Sequence, residues 1–175
     1  MSGHNKWSKI KRKKEVTDAK KSKIFSKVVR LITVESKITG GNINSPGLKT
    51  AIEKAKEVNM PADNIERAIK KGSEPSVQME SITYEAYGHG GVGLIIDVLT
   101  DNRNKSAQEV KHILSKNNCS LAGIGAVTWS FKKEGAEWIP TTTIPISDED
   151  GEKLEKLIDD LEENDDVQEV YTNAE

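Results

Sequence analysis

The sequence predicts an α+β protein: a basic arm and three-helix bundle at the N-terminus, then a ferredoxin-like split-βαβ domain with an extra edge strand. Three observations lead there. Apolar residues recur at three- and four-residue steps as far as Gly72, alternation with polar residues sets in after Met79, and from Val92 the periodicities run strand, helix, strand, strand, helix, strand. Right-handed crossovers then place both later helices on one face of an antiparallel sheet. The expected domains are residues 1–72 (arm and helical domain), 73–80 (linker) and 81–175 (α+β domain).

The first helix is expected over about 18–38, with an apolar stripe of Ile24, Phe25, Val28, Val29, Ile32 and Val34 and a stop at Gly40-Gly41. Its exposed face is expected to carry Lys20, Lys23, Lys27 and Arg30. The second opens at Ser45 with Pro46 in its first turn and presents Leu48, Ala51, Ile52, Ala55 and Val58. The third follows Pro61, presents Ile65, Ala68 and Ile69, and stops at Gly72. Arg67, Lys70 and Lys71 near its end suit the negative pole of the helix dipole and equally suit a phosphate. Residues 73–79 break all periodicity. Ile82, Tyr84 and Ala86 then alternate in a strand expected at the sheet edge, and Val92 to Leu99, almost wholly apolar, form a central strand. Ser106 and Glu109 have the spacing of a capping box for a helix burying Val110, Ile113 and Leu114. Val127, Trp129 and Phe131 alternate as core residues of a further strand, Lys133-Glu134-Gly135 turns the chain, and Trp138, Ile144 and Ile146 belong to the returning strand. Pro140 and Pro145 push that strand toward an edge or bulge. Ser147 caps the last helix, whose first turn holds Asp148, Glu149 and Asp150 and whose stripe is Leu154, Leu157, Ile158 and Leu161. Val167 to Thr172 closes the sheet.

Charge is segregated along the chain. The first thirty residues carry eleven basic side chains (Lys6, Lys9, Lys11, Arg12, Lys13, Lys14, Lys20, Lys21, Lys23, Lys27, Arg30) against Glu15 and Asp18, with Trp7 inside the run. From Lys133 to Glu175 fifteen carboxylates face three lysines, and the whole chain sums to −2. A dense cationic run with an aromatic ring fits a phosphate backbone with a base to stack on, while the acidic end is repelled by the same polyanion. A lone cysteine, Cys119, excludes an internal disulfide and fits a reducing compartment. No apolar run reaches the length of a membrane span, and the N-terminus lacks a signal-peptide core, so a soluble, cytoplasmic protein is expected.

Enzyme chemistry finds no positive support. Residues 88–93 read Gly-His-Gly-Gly-Val-Gly, but this match to a dinucleotide fingerprint opens a strand rather than a helix, so it is a connection between strands. His4, His89, His112 and Cys119 are scattered without ligand spacing. No phosphate-binding Walker loop and no nucleophile elbow occur, and no pair of carboxylates stands out. Asp101-Asn102-Arg103-Asn104-Lys105 is read as a loop whose Arg103 and Lys105 could meet phosphate or base edges, or as a turn held by its own Asn and Asp side chains.

Gly3-His4-Asn5-Lys6-Trp7 with the basic run, Asp18-Ala19-Lys20, Lys23-Ile24-Phe25, Ala51-Ile52 through Asn59-Met60-Pro61, the run from Ile65 to Gly72, Tyr84-Glu85-Ala86-Tyr87-Gly88, Leu99 to Asn104, and Asp165 to Tyr171 form an ordered set of stretches. Together they resemble the YebC/PmpR family, which includes the mitochondrial translational activator of cytochrome oxidase. The resemblance implies a helical N-terminal domain, an α+β second domain, no catalytic activity and a nucleic-acid-linked role in gene expression, as DNA-binding transcriptional regulators or at the ribosome. Relatives carry a third domain between the strands near Phe131 and Trp138; here Lys132 to Gly135 closes the gap. His89 stands where relatives usually have proline, and the Asn118 to Ile124 loop is less glycine-rich than theirs.

The expected function is therefore a non-enzymatic nucleic-acid-binding regulator, acting in translation at the ribosome through rRNA or tRNA contacts, without cofactor, metal or small-molecule substrate. The expected contacts are Lys6, Trp7, Lys9, Lys11, Arg12, Lys13, Lys14, Lys20, Lys21, Lys23, Lys27, Arg30, Arg67, Lys70, Lys71, Arg103 and Lys105. The alternatives are a DNA-binding transcriptional regulator and a protein-interaction module whose arm binds an acidic partner.

Overall fold

The computed structural model describes residues 18–175, with side chains from Lys21 onward. Its described chain forms two compact units: a helical one (residues 18–82 with 99–103) and an α+β one (residues 83–98 with 104–175).

In the helical unit, α1 (Asp18–Thr39), α2 (Pro46–Glu57) and α3 (Ala62–Ser73) follow the expected segments closely. Their stripes meet in one core, where Ile32, Leu48, Ala51, Ala55, Met60, Ile65 and Ala68 are buried. Ser45 sits at the N-cap of α2, but its hydroxyl donates back to the Asn42 carbonyl at 2.7 Å instead of capping a helical N–H. α3 ends one residue beyond the expected Gly72. Gly72 is buried inside α3, and a Cβ there would collide with the Thr33 carbonyl of α1 and lie 2.7 Å from Ser36 Cβ. The Ser36 hydroxyl donates to the Ile69 carbonyl at 2.5 Å across the same close approach.

The α+β unit is built on a four-stranded sheet in the order β3-β1-β2-β6, comprising β1 (Glu80–Tyr87), β2 (Gly93–Thr100), β3 (Ser120–Leu121) and β6 (Val167–Thr172). β4 (Phe131–Glu134) and β5 (Glu137–Pro140) form a separate antiparallel hairpin. The helices are α4 (Arg103–Lys116) and α5 (Asp148–Glu162). β2 is central as expected, and it pairs antiparallel with β6 through Leu94–Thr172 and Ile96–Val170. Its side chains divide by face: Leu94, Ile96 and Val98 pack with Val110 and Leu114 of α4 and Leu154, Leu157 and Leu161 of α5. Ile95 on the other face packs with Val127 and Phe131.

The α+β class holds, with three corrections inside it. β1 is an interior strand between β3 and β2 rather than an edge strand. It occupies the place that the split-βαβ reading reserved for the strand returning after Gly135, so β2, α4 and β3 form the split unit around it. Val127–Phe131 is not a strand: Thr128–Ser130 is a turn of 3₁₀ helix, and the strand begins at Phe131. β5 ends at Pro140, and Ile144 makes only an isolated bridge to Ala174. α4 also begins three residues before Ser106, which is buried with its hydroxyl unpartnered and caps nothing. At α5 the cap is where the sequence places it, with the Ser147 hydroxyl accepting from the Asp150 N–H at 3.1 Å.

Candidate nucleic-acid interface

Of the expected contact residues, Lys6, Trp7, Lys9, Lys11, Arg12, Lys13 and Lys14 lie outside the described residues, and Lys20 is described only as part of the α1 backbone. Those that remain do not form one open face. Lys21 is exposed, but Lys23, Lys27 and Arg30 are half-buried. The stripe they share continues one turn on to Val34, which is buried, so this side of α1 turns inward toward its C-terminal half. Arg30 Nη1 donates to the Leu99 carbonyl at 3.0 Å, a structural bond at the end of β2.

On α3, Arg67, Lys70 and Lys71 are exposed. Arg67 reaches back along its own helix to Asn64 Oδ1 at 2.8 Å and the Asp63 carbonyl at 3.3 Å. Arg67 and Lys70 share a shallow surface depression with Asp63 and Glu66, so the cations there are interleaved with carboxylates. Lys71 follows in the last turn. Sequence reasoning passed over α2, whose Lys49, Lys54 and Lys56 are all exposed. The Leu48, Ala51 and Ala55 stripe, at three- and four-residue steps, is what gives them away, because they fall between its positions and occupy the complementary face.

Arg103 and Lys105 are not in a loop; they are the first turn of α4. Arg103 grips Glu80 with Nε–Oε1 at 3.3 Å and Nη2–Oε2 at 3.0 Å, and this fork holds the Glu80 carboxyl below the usual carboxylate range. Lys105 stands 3.8 Å from Glu109 one turn on. Both cations therefore have partners within the chain.

The chemistry-bearing groups elsewhere are explained by structure. His89 and Cys119, far apart in sequence, come together with Sγ 3.8 Å from Nε2, and Nε2 also lies 2.9 Å from the Asn117 carbonyl. Burial pushes the Cys119 thiol up, the opposite of an activated nucleophile. Among the described residues no cluster of three His, Cys, Asp or Glu side chains could hold a metal. The glycine-rich segment 88–93 connects β1 to β2 through a 3₁₀ turn, as its sequence context implies. No described helix is long and apolar enough to cross a membrane.

Charge also divides by unit. The described helical unit carries thirteen basic and nine acidic side chains, while the described α+β unit carries seven basic and eighteen acidic ones.

Comparison with known proteins covers almost the whole chain. Residues 5–75 match the TACO1/YebC protein N-terminal domain, and residues 79–137 and 133–174 match the TACO1/YebC second and third domain. These last two segments meet at the β4–β5 hairpin. A "probable transcriptional regulatory protein" of Fervidobacterium nodosum is 40% identical over 235 aligned positions, covering 99% of this chain and 93% of the relative. The chain has 175 residues, so that relative holds internal residues that this one lacks. Proteins of the same name from Petrotoga mobilis (46% identical; 100% of this chain, 71% of the relative) and Trichlorobacter lovleyi (47%; 98% and 70%) are similar over the same span. Among solved structures, a conserved hypothetical protein from Aquifex aeolicus superposes with a TM-score of 0.85 at 32% identity, covering 93% of each chain. With both the helical and the sheet-bearing segments matched, the chain belongs to the TACO1/YebC family.

Proposed function

We propose that this protein is a non-enzymatic regulator of gene expression that binds nucleic acid through its basic arm and helical unit, acting in translation at the ribosome through rRNA or tRNA contacts. The carrying observation is the separation of charge. Residues 1–17 hold a net +5, the described helical unit +4, and the described α+β unit −11. Such a field draws a polyanion to one end of the chain and keeps it off the other. The exposed cations Lys21, Lys49, Lys54, Lys56, Lys70 and Lys71 are spread over three helices, and Asp63 and Glu66 flank Arg67. That distribution suits phosphate contacts on a contoured RNA surface better than insertion of one helix into a DNA major groove. The second reading, a DNA-binding transcriptional regulator, is favoured by the name the relatives carry.

The test is co-sedimentation with ribosomes beside binding to random duplex DNA at physiological salt. Ribosome association without appreciable duplex binding supports the translational role; tight, sequence-dependent duplex binding without ribosome association replaces it with the second reading. Neutralising some six phosphates gives a log-log salt slope of about −4 to −5. Substituting Lys9, Lys11, Arg12, Lys13 and Lys14 together is expected to flatten that slope, and unchanged affinity would remove the arm from the interface.

A further inference from the structure

We propose that the loop between β3 and β4, with Ile124 and Trp129 at its surface, is a docking site for a protein partner that offers an apolar pocket rimmed by basic side chains. Residues 117–131 contain no charged side chain, inside a unit whose described residues carry a net −11. The loop's large apolar residues divide sharply. Val127 and Phe131 are rooted in the core beside Ile95, whereas Trp129 is 70% exposed and Ile124 fully so. Burial cannot account for that pair, since both project away from a core that already has its anchors.

The loop is also held in place from below. The buried Glu85 carboxylate of β1 accepts the N–H groups of Gly125 at 2.7 Å, Val127 at 2.9 Å and Thr128 at 2.7 Å. Trp129 Nε1 donates to the Ala126 carbonyl at 2.9 Å. The ring's only polar atom is thereby satisfied within the loop, and what it offers a partner is apolar surface. A tryptophan fixed before encounter costs little ordering entropy on binding and is the residue type most enriched at interface hot spots.

Charge decides the occupant. A nucleic acid would meet a −11 unit, and the two cations next along the chain are already engaged: Lys132 pairs with Glu134 at 3.0 Å, and Lys133 lies 5.0 Å from the Trp138 ring centroid. A second copy docking through this same face would bring like charge against like. A basic-rimmed protein surface is attracted instead, with the uncharged loop as the desolvated centre. This site is independent of the cationic contacts proposed above and stands or falls separately from them.

The experiment places p-benzoylphenylalanine at position 124 of the full chain and irradiates it in its native cells. The expected product is an adduct with one protein, whose cross-linked peptide, read by mass spectrometry, is apolar and flanked by Lys or Arg. Its yield falls about tenfold or more in Trp129→Ala, as for a hot-spot residue. It persists when the five arm cations are replaced, and it is absent when the photoreactive group is moved to Lys49. Because Trp129 is exposed, its alanine variant is expected to melt with the parent protein. An adduct with nucleic acid, an adduct with a second copy, no single protein adduct, or an adduct indifferent to Trp129→Ala overturns the proposal.

Discussion

Replacing Glu85 by glutamine tests whether one buried carboxylate organises the 122–130 loop. Glu85 is 7% exposed; its Oε2 accepts from Gly125, and its Oε1 accepts from both Val127 and Thr128. Glutamine can keep its carbonyl oxygen under Val127 and Thr128, but then its NH₂ group faces the Gly125 N–H, donor against donor. Losing charge assistance on two bonds and orphaning one buried donor costs about 2–4 kcal/mol. If the loss is confined to the loop, the Gly125, Val127 and Thr128 amides exchange roughly 25- to 700-fold faster, at tenfold per 1.4 kcal/mol. The effect is tied to ionisation. Burial pushes the Glu85 carboxyl up, but the three backbone N–H bonds pull it further down, leaving it below its ordinary 4.5. A depressed folded-state pKa means that the unfolded chain takes up the proton first. The stabilisation is thus complete above about pH 4.5 and is lost as pH falls through the folded value. The gap between parent and Glu85→Gln in urea unfolding and amide exchange is accordingly expected to be constant from pH 7 to 5 and to close below 4.5. Protection changed by less than about threefold, or a gap that ignores pH, would refute the reasoning.

Two further substitutions probe places where local pattern and packing disagree. Ser106→Ala is expected to leave stability unchanged or raise it by up to about 1 kcal/mol, because the hydroxyl is buried without a partner; a loss of about 1 kcal/mol in chemical denaturation would restore the capping role its spacing suggests. Gly72→Ala adds helix propensity yet drives a Cβ into the Thr33 carbonyl and Ser36, so the helical unit is expected to lose about 1–3 kcal/mol in thermal melting.

The helices were legible because their signals are local. The stripes of α1, α2 and α5, Pro46 in the first turn of α2 and the Ser147 cap all lie within a few residues of the elements they define. So was β2, whose apolar run, broken only at Asp97 before its last residue Thr100, implies cover on both faces. Of the expected contact residues, Arg67, Lys70 and Lys71 are exposed as their helix end suggests, while Arg30 and Arg103 are not simply available cations, because the carbonyl of Leu99 and the carboxylate of Glu80 reach them from distant segments. No spacing rule contains those pairs. Trp129 was misread for a related reason: alternation with Val127 and Phe131 looks like a strand, but three backbone N–H groups drawn to Glu85 coil the chain before Phe131 and swing the ring outward.

By itself the sequence determined the α+β class, the order and ends of most elements, and the segregation of charge along the chain, all properties of short-range pattern or simple composition. Tertiary structure decided what depends on residues far apart. It inserted β1 into the interior of the sheet, set the β4–β5 hairpin apart, buried Gly72 against Thr33 and fastened the Ile124–Trp129 loop to Glu85. The physical reason is common to all four. Strand partners, close helix approaches and buried carboxylate bonds are chosen by competition among distant groups for the same few buried positions, and that competition is resolved only when the chain is packed.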